Sequence, residues 1–529
     1  MAKWKTAGGK WGNRPRGTRM SSGVYSRRQF AGMLAATAAP AFAAFAPDAN
    51  PHIDRAMKAV RSAIPLAESD HRRPVYHFRP PAHWNNDPNG TIFYKGWHHL
   101  FYQHNPYQAV WGNMHWGHAR SRDLVNWEHL PIALWPSVEK GEDHVFSGSA
   151  ILGRDGRPRL LYTSIGKRDP EQWMAIPLDD DLIRWEKYPG NPVATTKLHG
   201  ARAVFDWRDP FLFREAGNVY LVCGGNWTGW SRSGASAIYL YKATSENLDR
   251  WEFLGPVFEY RNRQYSNIEC PNLFRLGSKW VILISPHKPT EYFVGDLDLA
   301  APRFLPEMHG VLDPGASYAS NVSFDEQGRC ILWLWGQTLN PPERGWNGVM
   351  TLPRILSLGS NGELLQNPAP EFEKLRGEMQ TVPPATLEGK PMRLDGISGD
   401  CLEIEAQFSI ENATSVGLRL RCSSAGAAGV VVRYSTEGGG GPYANGGTFG
   451  IGSAGAVLGR QKDIRMRVFL DKCVAEAFVN EGAVAVYSEV SAGQADLGIE
   501  AFATGGTARL VSLKAWPLKP AEFSLEHFG

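Results

Sequence analysis

The chain has 529 residues, 56 of them Lys or Arg and 53 Asp or Glu, for a formal charge of +3 at pH 7. With 43% hydrophobic and 21% charged residues, and only six Cys among 56 Gly and 36 Pro, it is not disulfide-dense, collagen-like or broadly disordered. Nineteen Trp, 24 Phe and 17 Tyr suit β-structure and sugar-binding surfaces.

At the N-terminus, Ser26-Arg27-Arg28-Gln29-Phe30 precedes the apolar stretch Ala31 to Ala46, which contains Ala41-Phe42-Ala43. A basic segment, a short apolar run and a small-residue site predict a basic extension and a twin-arginine-type export signal over residues 1–43. The expected location is periplasmic or secreted, Met20 is a plausible second start, and residues 44–73 form an N-terminal segment of the mature chain. Residues 1–43 hold eight basic residues and no acidic ones, so the rest has 48 basic against 53 acidic, a charge of −5. The basicity belongs to the signal, and no nucleic-acid partner is expected. No apolar run reaches the roughly 18–20 residues needed to cross a bilayer, so no stable membrane insertion is expected.

Between residues 74 and 355 a repeat emerges. Gly96, Gly156, Gly217, Gly277 and Gly328 each precede a short β-rich apolar run such as Trp97 to Tyr102 or Lys279 to Leu283, and they are 60, 61, 60 and 51 residues apart. A turn glycine between two short strands predicts a hairpin, and this period matches one blade of a β-propeller, giving five blades. Upstream of three of these glycines lies a carboxylate in a similar setting: Asp87-Pro88-Asn89-Gly90, Arg208-Asp209-Pro210-Phe211 and Glu269-Cys270-Pro271-Asn272. In blades two and five the equivalent stretches are Phe146-Ser147-Gly148-Ser149 and Ser320-Asn321. Equivalent positions in a propeller share a radius, so the three carboxylates are expected to converge near the axis.

Such a cluster suits either a hard cation or glycoside hydrolysis by a carboxylate pair. The neighbours favour the second. Arg208 opposes cation binding and keeps Asp209 ionised. Trp84, Trp111, Trp116, Trp207 and Trp335 offer flat faces for sugar C–H groups, although core packing is the commoner role of a single Trp and only Trp84 and Trp335 are set apart from it by their motifs; Asn86, Gln103, His104, Asn105 and Ser147 offer hydroxyl partners.

The ordered segments His83-Trp84-Asn85-Asn86-Asp87-Pro88-Asn89-Gly90, Phe101-Tyr102-Gln103-His104-Asn105-Pro106, Phe146-Ser147-Gly148-Ser149, Trp207-Arg208-Asp209-Pro210 and Glu269-Cys270-Pro271 resemble glycoside hydrolase family 32, the invertases, inulinases and levanases. Gly345 to Arg354 is similar to that family as well. The resemblance implies a five-bladed β-propeller followed by an antiparallel β-sandwich, and a retaining double displacement on fructan or sucrose without a metal or other cofactor. It implies Asp87 as nucleophile, Glu269 as acid/base and Asp209 as transition-state stabiliser. Trp84, Asn86, Gln103, Trp111, Phe146, Ser147, Arg208 and Trp335 are the implied substrate contacts. Retention requires two carboxyls about 5–5.5 Å apart with pKa values pushed apart. Cys270 and the charges of Asp87 and Asp209 are expected to keep Glu269 protonated. Asn85 stands where the family commonly has Met, and a changed substrate preference is expected from it.

Residues 356–395, with Pro368, Pro370, Pro383 and Pro384, read as a linker. From 396 to 529, alternation in Cys401 to Phe408, Val430 to Tyr434 and Ile464 to Phe469 predicts an antiparallel sandwich. Asp471-Lys472-Cys473-Val474-Ala475-Glu476-Ala477-Phe478 resembles the family's sandwich signature, with Cys473 where Ser is usual. The domain reads as structural support, with sugar binding a minor alternative, and the glycine-rich loop 437–447 reads as mobile. The cysteines show no metal or redox spacing, and Cys270 and Cys330 are expected to be buried thiols. A fructosyltransferase on the same scaffold, and a non-catalytic sugar-binding propeller, remain as alternatives. Linkage preference, exo or endo action and oligomeric state are open.

Overall fold

The computed structural model describes residues 50–227, 236–260, 267–287, 289–427, 429–437 and 446–528. The export-signal segment and most of the glycine-rich loop 437–447 lie outside the described residues.

The protein is built almost entirely of antiparallel sheets. Residues 83–368 form five sheets in chain order, whose first strands are His83–Tyr94, His144–Leu152, Phe205–Glu215, Glu269–Leu276 and Ser317–Phe324. Each first strand is joined to its second by a turn holding one of the repeat glycines, and all five have positive φ, between +60° and +79°. That left-handed geometry is nearly free only to glycine, which is why the repeat is visible in the sequence.

The first strands contact one another in a closed circle. Hydrogen bonds run from each to the next around the propeller-like ring. Gly148 N donates to Asn89 Oδ1 (3.1 Å), Leu212 N to Ser149 Oγ (3.0 Å) and Cys270 N to Asp209 Oδ2 (2.9 Å). Val322 N donates to Asn272 Oδ1 (3.1 Å), and Thr91 Oγ1 to Asn321 Oδ1 (2.6 Å) closes the circle.

The expected linker 356–395 is instead ordered sheet. Arg354–Leu358 and Leu364–Pro368 complete the fifth sheet, while Gln380–Val382, Ala385–Glu388 and Met392–Ser398 already belong to the second half. Pro383 and Pro384 only bend the chain between two short strands that both pair with Thr507–Pro517. Their missing donors are tolerated between edge segments. The passage between the halves is residues 369–379, which include the short 3-10 helix Pro370–Leu375.

The second half is a sandwich of a seven-stranded and a six-stranded sheet around a shared apolar core that includes Ile404, Leu418, Val432, Val468 and Ile499. Cys401–Ile410, Val430–Ser435 and Asp463–Asp471 carry the alternation anticipated for it. The segment 44–73 supplies an unanticipated helix, Pro51–Glu68, capped by the Asn50 side chain, which packs Met57 and Val60 near Trp346, Val474 and Phe528. Near the other end, Phe523–Ser524 pairs in parallel with Trp127–Leu134 of the first sheet.

A buried ionic network joins the halves. Arg354 pairs with Asp313 (2.8 Å) and with Glu476 (2.7 Å), and His77 sits between Asp471 (2.9 Å) and Glu476 (3.2 Å). None of these five side chains is exposed. Asp471 also accepts the N–H groups of Val75, Tyr76 and His77. The two acids of the sandwich signature therefore hold the propeller half and its entry segment. All six cysteines are free thiols, and Cys270 and Cys330 are buried.

The two carboxylates push the His77 imidazole from 6.5 up to about 9, overcoming the opposing effect of burial, which is the largest single influence. A raised imidazole pKa stabilises the fold fully below pH 6.5 and progressively less as pH rises to 9. His77→Gln is expected to lower stability by about 3 kcal/mol at pH 6 and by much less at pH 9.5. Thermal unfolding across that range checks it; a pH-independent deficit contradicts it.

Candidate active site

Each inner strand slips register at the same level. The irregularities fall between Asn85 and Pro88, Val145 and Gly148, Arg208 and Phe211, Glu269 and Asn272, and Tyr318 and Ser320. In three of them a proline, Pro88, Pro210 or Pro271, cannot donate to the ladder, so the strand bulges there. Asp209 and Cys270, each directly before a proline, take positive φ values of +62° and +45°. Bulges re-aim side chains, and here they turn Asp87, Ser147, Asp209 and Glu269 towards one another.

Asp87 is oriented by two donors, Ser147 Oγ to Oδ2 (2.6 Å) and Asn86 Nδ2 to Oδ1 (2.9 Å). Asn86 is in turn fixed by the Trp84 indole N–H (2.8 Å). The Cys270 thiol lies 3.5 Å from Asp87 Oδ2 and 3.7 Å from Asp209 Oδ2, so one sulfur touches both carboxylates. Asp209 also accepts the Cys270 N–H, while its own N–H is held by Thr163. Arg208 donates to Glu269 Oε1 and pairs with Asp206, and its Nε lies 3.8 Å from Asp209.

Tyr318, on the fifth inner strand, was not anticipated. Its hydroxyl bonds Glu269 Oε2, lies 2.7 Å from the Ser285 carbonyl and accepts the His287 N–H (3.0 Å). One hydroxyl proton cannot serve two acceptors. All partners are satisfied together only when Glu269 carries a proton on Oε2 and donates it to Tyr318.

The electrostatics divide the carboxylates. Burial pushes Asp87 up, opposed by Ser147 and Asn86. Burial also pushes Asp209 up to about 7, against the pull of Arg208. Glu269 is held below its ordinary value: burial raises it, but Arg208, Tyr318 and His287 together outweigh that. The expectation that Cys270 and the two aspartates keep Glu269 protonated is therefore not met. A guanidinium in contact counts for more than negative charges further off.

The anticipated contacts divide likewise. Trp84 and Trp335 meet edge to face at 5.6 Å, and the Trp335 indole N–H is buried without a hydrogen-bond partner. Trp111 is 53% exposed and lies against His144 and Phe146 at the rim. Gln103 is buried, its Nε2 donating to the Val145 carbonyl (2.8 Å). Trp116 and Trp207 are wholly buried and offer no face to a sugar. His104 and Asn105 are buried and bond the Trp84 and Val110 carbonyls. Asn85 is fully buried and points behind the site, its amide donating to the carbonyls of Asn347 (3.2 Å) and Gly348 (2.6 Å). It fastens the strand behind Trp335, so a direct effect on substrate preference finds no support.

Beneath the carboxylates the axis narrows to a cavity of about 10 Å³, bordered by Asn89, Asn272 and Asn321. A sugar unit does not fit there, so this is the floor of the site. Among the described residues no group of three or more His, Cys, Asp or Glu side chains is placed to hold a metal ion.

Residues 77–368 match the family described as Glycosyl hydrolases family 32 N-terminal domain, and residues 371–517 match Glycosyl hydrolases family 32 C terminal. The chain is 31% identical over 504 residues to a levanase of Bacillus subtilis (strain 168), covering 84% of this chain and 70% of that protein. It is 30% identical over 485 residues to a sucrose-6-phosphate hydrolase of Escherichia coli, covering 84% and 94%. Among solved structures, fructan 1-exohydrolase IIa from Cichorium intybus superposes with a TM-score of 0.74 at 25% identity, covering 86% of this chain and 99% of that one.

The raised Asp209 pKa has a measurable sign. The folded protein keeps a proton that the unfolded chain releases above its ordinary 3.8, so stability is lost as pH climbs from there to about 7. Asp209→Asn, which cannot ionise, is expected to match the parent near pH 4 and exceed it at pH 8, by at most about 4 kcal/mol. Unfolding midpoints at the two pH values check this; a variant that gains nothing between them contradicts it.

Proposed function

The chain belongs to glycosyl hydrolase family 32, and from that premise we propose that it hydrolyses terminal β-D-fructofuranosyl linkages of fructans or sucrose with retention of configuration. The observation that carries the reading is the convergence of Asp87, Asp209 and Glu269 at the bulges of three inner strands, each with its own orienting partners.

The roles follow from those partners. Asp87, held by Ser147 and Asn86, presents an oxygen to the anomeric carbon and forms a covalent fructosyl ester as the glycosidic bond breaks. Glu269 gives its proton to the departing oxygen. In the second step it takes a proton from water, whose oxygen attacks the anomeric carbon and releases Asp87. Asp209 hydrogen-bonds fructose hydroxyls and stabilises positive charge at the ring. A sugar over the site strips solvent from Glu269, whose side chain is 21% exposed, and raises its pKa towards the protonated form. Trp84 and Trp335 form an apolar wall, and Trp111 stands at the rim.

Transfer to a sugar hydroxyl instead of water uses the same intermediate. Incubation with sucrose, sucrose 6-phosphate, inulin and levan, with products identified over time, separates hydrolysis from transfer and fixes the linkage. Asp87→Asn is expected to lower turnover at least about a thousandfold while leaving unfolding unchanged. Near-normal turnover in that variant refutes the assignment.

We also infer that residues 1–43 direct export by the twin-arginine route, on the strength of Arg27-Arg28 before the apolar stretch. Replacing both arginines with Lys is expected to leave the protein in the cytoplasm. Unchanged export, followed by cell fractionation, contradicts the inference.

A further inference from the structure

Asp206 plays no part in the mechanism above, yet it is placed with unusual care. It adopts a left-handed conformation (φ +53°) at a non-glycine residue. One carboxylate oxygen pairs with Arg208 Nη1, and the other accepts from Asn267 Nδ2 (2.8 Å), which also reaches the Asp206 carbonyl (3.3 Å). Asn267 stands two residues before Glu269. Asp206 therefore joins the third and fourth sheets on either side of the residue proposed to move the proton.

Arg208 is the shared element. Its Nη2 engages Glu269 Oε1, its Nη1 engages Asp206, and its Nε faces Asp209 at 3.8 Å. We propose that Asp206 is a positioning residue for the reaction: by taking one arm of the guanidinium it fixes the other on Glu269 and shares the positive charge that Glu269 would otherwise hold more strongly. The inference rests on Glu269 being the acid/base. The groups bearing on Glu269 are Arg208 and Asp209 from the third inner strand, Asp87 from the first, Tyr318 from the fifth, the neighbouring Cys270, and His287 from the segment following Ser285, with Asp206 behind Arg208. Arg208 and His287 favour the ionised carboxylate. Tyr318 lends a hydrogen bond to it, yet its full set of partners is met only by the protonated acid. Removing Asp206 leaves more of the Arg208 charge unneutralised beside Glu269 and deletes a negative neighbour, so both effects favour loss of the Glu269 proton.

The test is the pH profile of kcat/KM for sucrose or fructan hydrolysis by the intact protein, its Asp206→Asn and Asp206→Glu variants, and Glu269→Gln as reference. Asp206→Asn is expected to move the basic limb down by about half a pH unit or more. KM is expected to stay within about twofold, with the loss expressed in kcat above neutral pH. Asp206→Glu, which restores the charge, is expected to return the limb towards its original position. Asp206→Ser carries the same expectation as Asp206→Asn should the latter fail to fold. An unmoved limb in a folded variant lacking the charge, or a loss confined to KM, overturns the proposal. Near-normal turnover in Glu269→Gln instead overturns the acid/base assignment itself, so the two failures are distinguishable.

Discussion

Pro88, Pro210 and Pro271 each remove one N–H from the ladder of an inner strand, and each does so next to a side chain that faces the axis. A strand that keeps perfect register shows alternate side chains to its two faces and cannot bring successive residues to one point. The slip at these prolines breaks that alternation. It aims Asp87, Asp209 and Glu269 inward and frees the Cys270 N–H to bind Asp209 across to the next sheet. The circle of hydrogen bonds between inner strands then holds the bulges at one level, so the site is a property of the ring and not of any single sheet.

Within that ring a single guanidinium meets three carboxylates, those of Asp206, Asp209 and Glu269, with Asp87 nearby. So much negative charge out of solvent raises carboxyl pKa values, and burial takes that of Asp209 up to about 7. Glu269 is the contested member: Arg208 favours its charge, whereas the bonding around Tyr318 is complete only when it is protonated. A site balanced this way can change protonation state with a modest change in solvation, as an acid that later acts as a base must.

Much of this was readable in the linear chain because it rests on short-range necessity. A tight turn needs glycine, so Gly96, Gly156, Gly217, Gly277 and Gly328 marked the sheets, and carboxylates at a fixed offset from them marked the site. What escaped notice depends on partners far apart in sequence. Tyr318 and Asp206 belong to no recurrent local pattern, and their importance comes from Ser285, Asn267 and Arg208. Trp116 and Trp207 are core, as the residue type alone suggests, and burial separates them from Trp84 and Trp335 at the site. The presumed linker misled because prolines between two short strands look the same in sequence whether or not the ladder continues across them. The helix Pro51–Glu68 has a readable start in Asn50-Pro51, a capping side chain followed by a proline in the first turn.

The ionic network also bears on the order in which the molecule can be made. Arg354 in the fifth sheet awaits Glu476, His77 ahead of the first sheet awaits Asp471, and the outer strand of the first sheet awaits Phe523–Ser524. On a ribosome Glu476 emerges more than a hundred residues after Arg354. Until then Arg354 and Asp313 sit at an open face with no sandwich to cover them, and the nascent propeller lacks its clamp. The hydrogen-bonded ring of the propeller half needs only residues before 368, whereas the charges of Arg354 and Asp313 gain their third partner only with Glu476.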